Sequence, residues 1–581
     1  MTLHVACPVP SRAFAARWSA SGATRELTLK QRRELLRLTA ASGVVANFKV
    51  ALDAVGLVHG PHERRLMLGV AAAAGHPGIV LCLLELWPNM TSEYNGPDPI
   101  CKAAEAGHQA VCQMLLDSGF EWEPAHVAAA LKGGHPGLAD WLLQRRREGP
   151  ISPSDSLAPL GAGSCYEFLE AAVTGCDLPA VQLLIRRCEG DDILTVKWKH
   201  DLLWAAADSH TADWEAKVEF LETLSWKPSC MGGYILPTPT RLPTCPNPGV
   251  RLARMLEMGH NASGCYESAL QKGDVAAAQL LLQNEHVDEE QIASCAVQKG
   301  LLPIVAWVVE SLHVPIQEVA DEAVEARSVD ESEEDSEQDV EGCHLEVLQW
   351  LRERGAELDG DTVAFNAAFC GRLPVLQWAA EELGASMEDP ELIDEAARSG
   401  SKELLAWLRD RGCPWGPRAF AHAAAAGCEA TLEFMVGEGC TMPDDGEPYV
   451  EAALENDLAT LRCLARLGCP WGPARGTRSV FISCLNRPKG IPLPVLRLLV
   501  ELGCPVDWAA AMAAAERASH VTADVRAWVA TEAEPEMARR VQRRQQQKQQ
   551  PEPAGRKRQQ RGQQQQDRDA RAERRQKRAG Q

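Results

Sequence analysis

The chain has 581 residues, 45% of them hydrophobic and 24% charged, which is length enough for several globular domains or for one long repeat array. Its formal net charge of −21 favours basic partners, and no uninterrupted apolar run is long enough to span a membrane. The 20 cysteines never form a C-x-x-C pair and no secretory hydrophobic segment opens the chain, so reduced thiols in a cytoplasmic or nuclear protein are expected, neither secreted nor membrane-bound.

In chain order, residues 1–27 read as an N-terminal extension; its first 25 residues hold Arg12, Arg17 and Arg25 and no acid, the faint mark of an organelle transit peptide. From 28 to 534 a phrase recurs: two alanines, two variable residues, a glycine, then an apolar run. It is clearest at Ala71-Ala72 with Gly75, Ala103-Ala104 with Gly107, Ala367-Ala368 with Gly371, Ala396-Ala397 with Gly400 and Ala423-Ala424 with Gly427. At Ala452-Ala453 the anchor is Asn456. Fainter copies fall near Gly43, Asp213, Pro248 and Val521. The tightest spacing, 27 residues between the anchors 400 and 427, holds two short helices and a turn. Alanines permit close backbone approach, glycine ends the first helix in the left-handed region, and the second helix carries apolar residues on one face. Val347, Leu348, Trp350 and Leu351 are expected to face the neighbouring unit as core. Tryptophan outnumbers tyrosine 16 to 5 because it returns in that slot, at Trp141, Trp307, Trp350, Trp378, Trp407 and Trp528.

Three interruptions are expected. Residues 145–164 read as a loop, and residues 227–248 carry six prolines that exclude a continuous helix. The stretch 328–341 has eight carboxylates and no base, stands between a first helix near 316–327 and a second starting near His344, and is expected to stay solvated. Within it Ser332 and Ser336 precede Asp335 and Asp339 by three residues, the pattern acidophilic kinases favour, so both are candidate phosphorylation sites. From 535 to 581 a disordered basic tail is expected; residues 539–581 alone hold 15 Lys or Arg, four acids and 14 Gln. Its charge of opposite sign allows it to fold back on the acidic stretch or array.

The run Ala103-Ala104-Glu105-Ala106-Gly107-His108 and the second-helix ending Leu115-Leu116-Asp117-Ser118-Gly119 resemble the middle and end of an ankyrin repeat. The usual Thr-Pro-Leu-His opening is missing and many units are shorter than 33 residues. The endings Gly412-Cys413-Pro414-Trp415-Gly416-Pro417 and Gly468-Cys469-Pro470-Trp471-Gly472-Pro473 are similar to divergent ankyrin arrays of green algae and large viruses. The resemblance implies an all-α, ankyrin-like solenoid acting as a protein-binding scaffold through its concave face and inter-repeat loops. It also implies that the opening residues are array-like sequence rather than a leader. Some algal relatives carry an F-box-like segment, which by analogy suggests a ubiquitin-ligase adaptor; no convincing F-box stands in this sequence.

No phosphate-binding loop, H-E-x-x-H, G-x-S-x-G or kinase set occurs, so neither enzymatic activity nor a cofactor is expected. His76, His108 and His135 follow anchor glycines and read as helix-start residues. His422, Cys428 and Cys440 are residue types that hold zinc, but plain burial is the stronger reading and no metal is expected. Candidate partner contacts are the loop residues Trp122, Trp415, Arg418, Trp471 and Arg475. The alternative class is a nuclear or RNA-associated protein whose tail meets phosphates or an import receptor through Arg543, Arg544, Arg556, Lys557 and Arg558; nucleic acid is expected through the tail alone, and no aromatic there can stack on a base.

Overall fold

Alanine pairs followed by a left-handed anchor build the same hairpin again and again. The computed structural model describes residues 9–88, 90–92, 96–146, 162–188, 196–227, 248–260, 270, 275–283, 289–325, 344–488 and 490–549. Among them are helix pairs such as Pro61–Ala73 with Pro77–Leu86, Pro124–Lys132 with Pro136–Arg146, and Pro390–Arg398 with Lys402–Asp410. No strand occurs among the described residues; an antiparallel bridge joins Leu57 to Asp457. The fold is an all-α solenoid of stacked helix pairs. Its residues fall into two units, 1–470 and 471–581, where a single array from 28 to 534 was expected.

Each first helix stacks on the first helix of the next unit. Ala71, Ala72, Ala103, Ala104, Ala396 and Ala397 are fully buried in this seam, because a methyl is the largest group that fits between backbones so close. The approach is tightest at Gly133 and Gly175, where any Cβ would strike the carbonyl oxygens of Glu105 and Lys132 in the preceding unit. Asn456 takes the same left-handed turn as the glycine anchors, φ 57°, which asparagine tolerates better than other side chains.

Second helices bury Val347, Leu348 and Leu351, or Leu404, Leu405 and Leu408. Each such side chain contributes roughly 1.5–3 kcal/mol of transfer free energy. The tryptophan of the slot is not core as expected: Trp141, Trp307, Trp350, Trp378, Trp407 and Trp528 are all half-buried. The reason lies in the next turn. Arg354 lies 3.9 Å over Trp350 and Arg411 lies 3.8 Å over Trp407, four residues on. Each guanidinium then reaches back to an acid at the end of the preceding second helix: Arg354 to Glu310 at 2.8 Å, Arg411 to Glu381 at 2.9 Å, and Arg145, four residues after Trp141, to Asp117. The indole is a platform on the outer surface.

The outer boundaries differ from expectation in three places. Helix Ser11–Trp18 packs on Val45–Val55, so the N-terminal extension joins the first unit. Helix Ala162–Gly175 begins inside the expected loop of 145–164. The last helix, Ala523–Gln549, continues through Pro535 into the segment expected to be disordered; the residues after that proline are mostly strong helix formers, and one proline costs a helix a single hydrogen bond and a local bend. The pair Ile316–Glu325 and Leu345–Glu353 flanks the acidic stretch where expected. The stretch itself, the proline-rich 228–247 and the tail beyond 549 lie outside the described residues.

The first unit also closes on itself. Residues 25–58 lie against residues 427–459, with Val58 N–H donating to Asn456 O at 3.0 Å and Leu458 N–H to Gly56 O at 3.0 Å. An open, elongated body was expected; the early and late repeats of this unit meet instead.

Candidate interaction surface

Histidine at the start of a second helix closes the seam between units. His108 Nε2 is 3.1 Å from Ala73 O and His76 Nε2 2.9 Å from Ala41 O, each at the C-terminal end of the preceding first helix, where carbonyls lack helical partners. Other residues take the same role. Lys217, with no solvent exposure, donates to Val173 O at 3.0 Å, Ser209 Oγ at 2.6 Å and Thr211 Oγ1 at 2.8 Å. Arg251 donates to Ala207 O and Ser209 O, and Thr431 to Gly400 O. Burial pushes the Lys217 ammonium below its ordinary value, with Asp213 opposing. These buried bases are spent on structure.

The loop tryptophans are staples too. Trp122 donates its indole N–H to Leu142 O at 2.9 Å, and Trp415 donates to Glu438 O at 3.2 Å, in each case to the end of the next second helix. Both are half-buried, and Arg409 covers Trp415 at 4.8 Å. Neither projects as a free anchor. Arg418 is exposed, its backbone N–H held by the Asp394 carboxylate at 3.2 Å. In the second unit Trp471 is half-buried and Arg475 exposed. Arg543 and Arg544 fall in the helix Ala523–Gln549, while Arg556, Lys557, Arg558, Ser332 and Ser336 lie outside the described residues.

His422, Cys428 and Cys440 have separate partners: His422 Nδ1 meets Asp394 O at 2.9 Å, Cys428 faces Arg25 O, and Cys440 faces Thr441 O. Two other clusters come within ligand range. In Asp98, Cys101 and His126, the Glu123 N–H points at His126 Nδ1 at 3.1 Å, so Nε2 keeps the proton and donates it to Asp98 at 3.2 Å. That nitrogen then has no lone pair for a metal. Burial pushes the Cys101 thiol up to about 12. In Glu429, Glu433 and Cys463 the space holds the Arg466 guanidinium, 3.0 and 2.7 Å from the two carboxylates. Both clusters are latches between units. No disulfide occurs among the described cysteines.

The first helices carry charge unevenly along the chain. The first helices from Glu289–Gln298 to Glu447–Leu454 contain twelve acids, Asp394 alone among them buried, against Arg398 alone. Glu289, Glu290, Glu318, Asp321, Glu325 and Glu391 are exposed. The earlier first helices, from Leu29–Ala41 to Pro124–Lys132, have eight bases, Arg32 and Arg65 among them buried, against three acids. Net charge alone hides this division, because the two halves cancel in part and the assignment to one face needs the helix pairs in register.

No known protein family matches this sequence. No curated protein matches it either. Among solved structures, the crystal structure of the pentatricopeptide repeat protein PPR10 from maize is similar at 11% identity and a TM-score of 0.21, over 86% of this chain and 69% of that one. A likeness at that score carries no argument, and the fold assignment rests on the helix pairs themselves.

Proposed function

We propose that this protein is a binding scaffold that takes a basic protein segment along the acidic half of its first-helix face. The observation that carries the reading is the charge division just described: twelve carboxylates against one arginine over six successive first helices. Most side-chain groups that could do chemistry elsewhere are engaged in holding units together, whereas Glu318, Asp321 and Glu325 stand exposed on one helix. Such a field raises the encounter rate with basic ligands and selects against acidic ones. We propose also that the pairs are divergent ankyrin units; the alanine seam, the left-handed anchor and the histidine staple support this.

The test is affinity capture with the full chain and with its Glu318→Lys/Asp321→Lys/Glu325→Lys variant, helical content being checked by circular dichroism. The variant is expected to lose most of the basic proteins that the parent retains, with a smaller loss as salt rises. An identical set retained by a folded variant would refute the reading.

A further inference from the structure

The strongest unassigned feature is the joint between the early and late repeats of the first unit. At its centre the Arg32 side chain is 1% exposed and that of Asp457 is 0% exposed. Arg32 Nη1 donates to Asp457 Oδ1 at 2.9 Å and to Val55 O at 2.9 Å, while Nη2 donates to Gly427 O at 2.7 Å and to Asp457 Oδ2. Asp457 also accepts from the amides of Ala459 and Thr460, both at 3.0 Å, and from the Thr460 hydroxyl at 2.6 Å. Around this centre Arg33 pairs with Glu455 at 3.0 Å and Arg25 with Glu433. Four backbone amides donate across the joint: Val58 to Asn456 O, Ala430 to Arg25 O, and Leu458 and Ala459 to Gly56 O.

Elsewhere the carbonyls ending a first helix are satisfied by the next unit, as by His108 for Ala73. Here Gly427 O is satisfied by a side chain 395 residues away in sequence. The joint is thus a seam made from non-neighbours. In a solenoid, stability is a sum over adjacent units, so every unit keeps its sequence neighbours when this one seam parts. The seam itself is all-or-none: a buried ion pair is stable only with its full set of partners, and either charge left alone in a dry site is strongly unfavourable.

We propose that residues 25–58 form a clasp, so that the first unit exists closed, with Arg32 seated on Asp457, and opens at this seam without loss of its helix pairs. Opening bares Asp457 and frees Glu455 of Arg33, adding two carboxylates to the acidic half of the array, while Glu433 loses Arg25 and stays on Arg466. The clasp stands independently of what the array binds.

Hydrogen exchange on the full-length chain tests it. In Arg32→Met, the amides of 58, 430, 458 and 459 are expected to exchange at least about tenfold faster than in the parent. Amides inside Pro61–Ala73 and Pro390–Arg398 keep the parent's rates. Arg32→Lys, which retains the charge and loses the two-pronged geometry, is expected to give a smaller rise at the same four amides. Unchanged exchange at those amides in both variants overturns the clasp. So does a rise that spreads equally through the two helices, since the seam would then be inseparable from the fold.

Discussion

Replacing Gly75 by alanine separates the two demands that an anchor position makes. Its φ is +72°, and a Cβ built there lies 2.4 Å from His108 Cε1. The left-handed conformation alone costs an L-residue about 1–2 kcal/mol. Pushing the His108 ring aside adds about 1–3 kcal/mol of overpacking, including the bond to Ala73 O, itself worth about 1 kcal/mol. The expected total is about 2–5 kcal/mol. Gly412 supplies the control: its φ is +86° with nothing within 4 Å of an added Cβ, so Gly412→Ala should cost only about 1–2 kcal/mol. A third arm isolates the ring, because in a His108→Ala background Gly75→Ala should fall to the Gly412 value, a coupling that a double-mutant cycle reads directly. Long arrays do not unfold as one two-state system, so the assay is native-state hydrogen exchange at the amides of Gly75, His76 and His108, converted to local opening free energies. Equal costs at the two glycines, or a Gly75→Ala cost unchanged by removal of the ring, would refute the reasoning.

Two further outcomes concern titrating groups. Burial raises the Glu170 carboxyl above 4.5, with Asp201 and Glu167 adding to it; the folded chain then holds this proton more tightly than the unfolded one, and stability falls as pH climbs from 4.5 through the native value. Glu170→Gln should therefore raise stability at neutral pH and flatten that part of a pH–denaturation profile, and an unaltered profile would contradict the assignment. Burial also pushes the thiols of Cys112, Cys469, Cys484 and Cys504 up to about 12, leaving roughly one in ten thousand ionised at pH 8. With Ellman's reagent the half-buried Cys370 should react well before Cys484 in the native chain; matching rates would mean that the units around Cys484 are open.

The candidate surface was partly legible and partly not, for reasons visible in single residues. Trp350 belongs to a repeating slot in any register, but whether its ring faces core or water depends on Arg354 and on Glu310 of another unit. The spacing of Trp and Arg four apart, at 141 and 145, 350 and 354, and 407 and 411, was the available signal. Trp122 and Trp415 looked like projecting anchors because loops usually are; their indole N–H bonds run to the following unit, which no local pattern encodes.

What the sequence by itself determined is everything that repeats: helix pairs, alanine seams, left-handed anchors and the order of the core residues, since each arises from contacts within a unit or with the next one and is therefore written many times. What only the tertiary structure decided is what occurs once. The meeting of Arg32 with Asp457, 425 residues apart, has no periodicity to betray it, because it depends on how small unit-to-unit rotations accumulate until two distant repeats coincide.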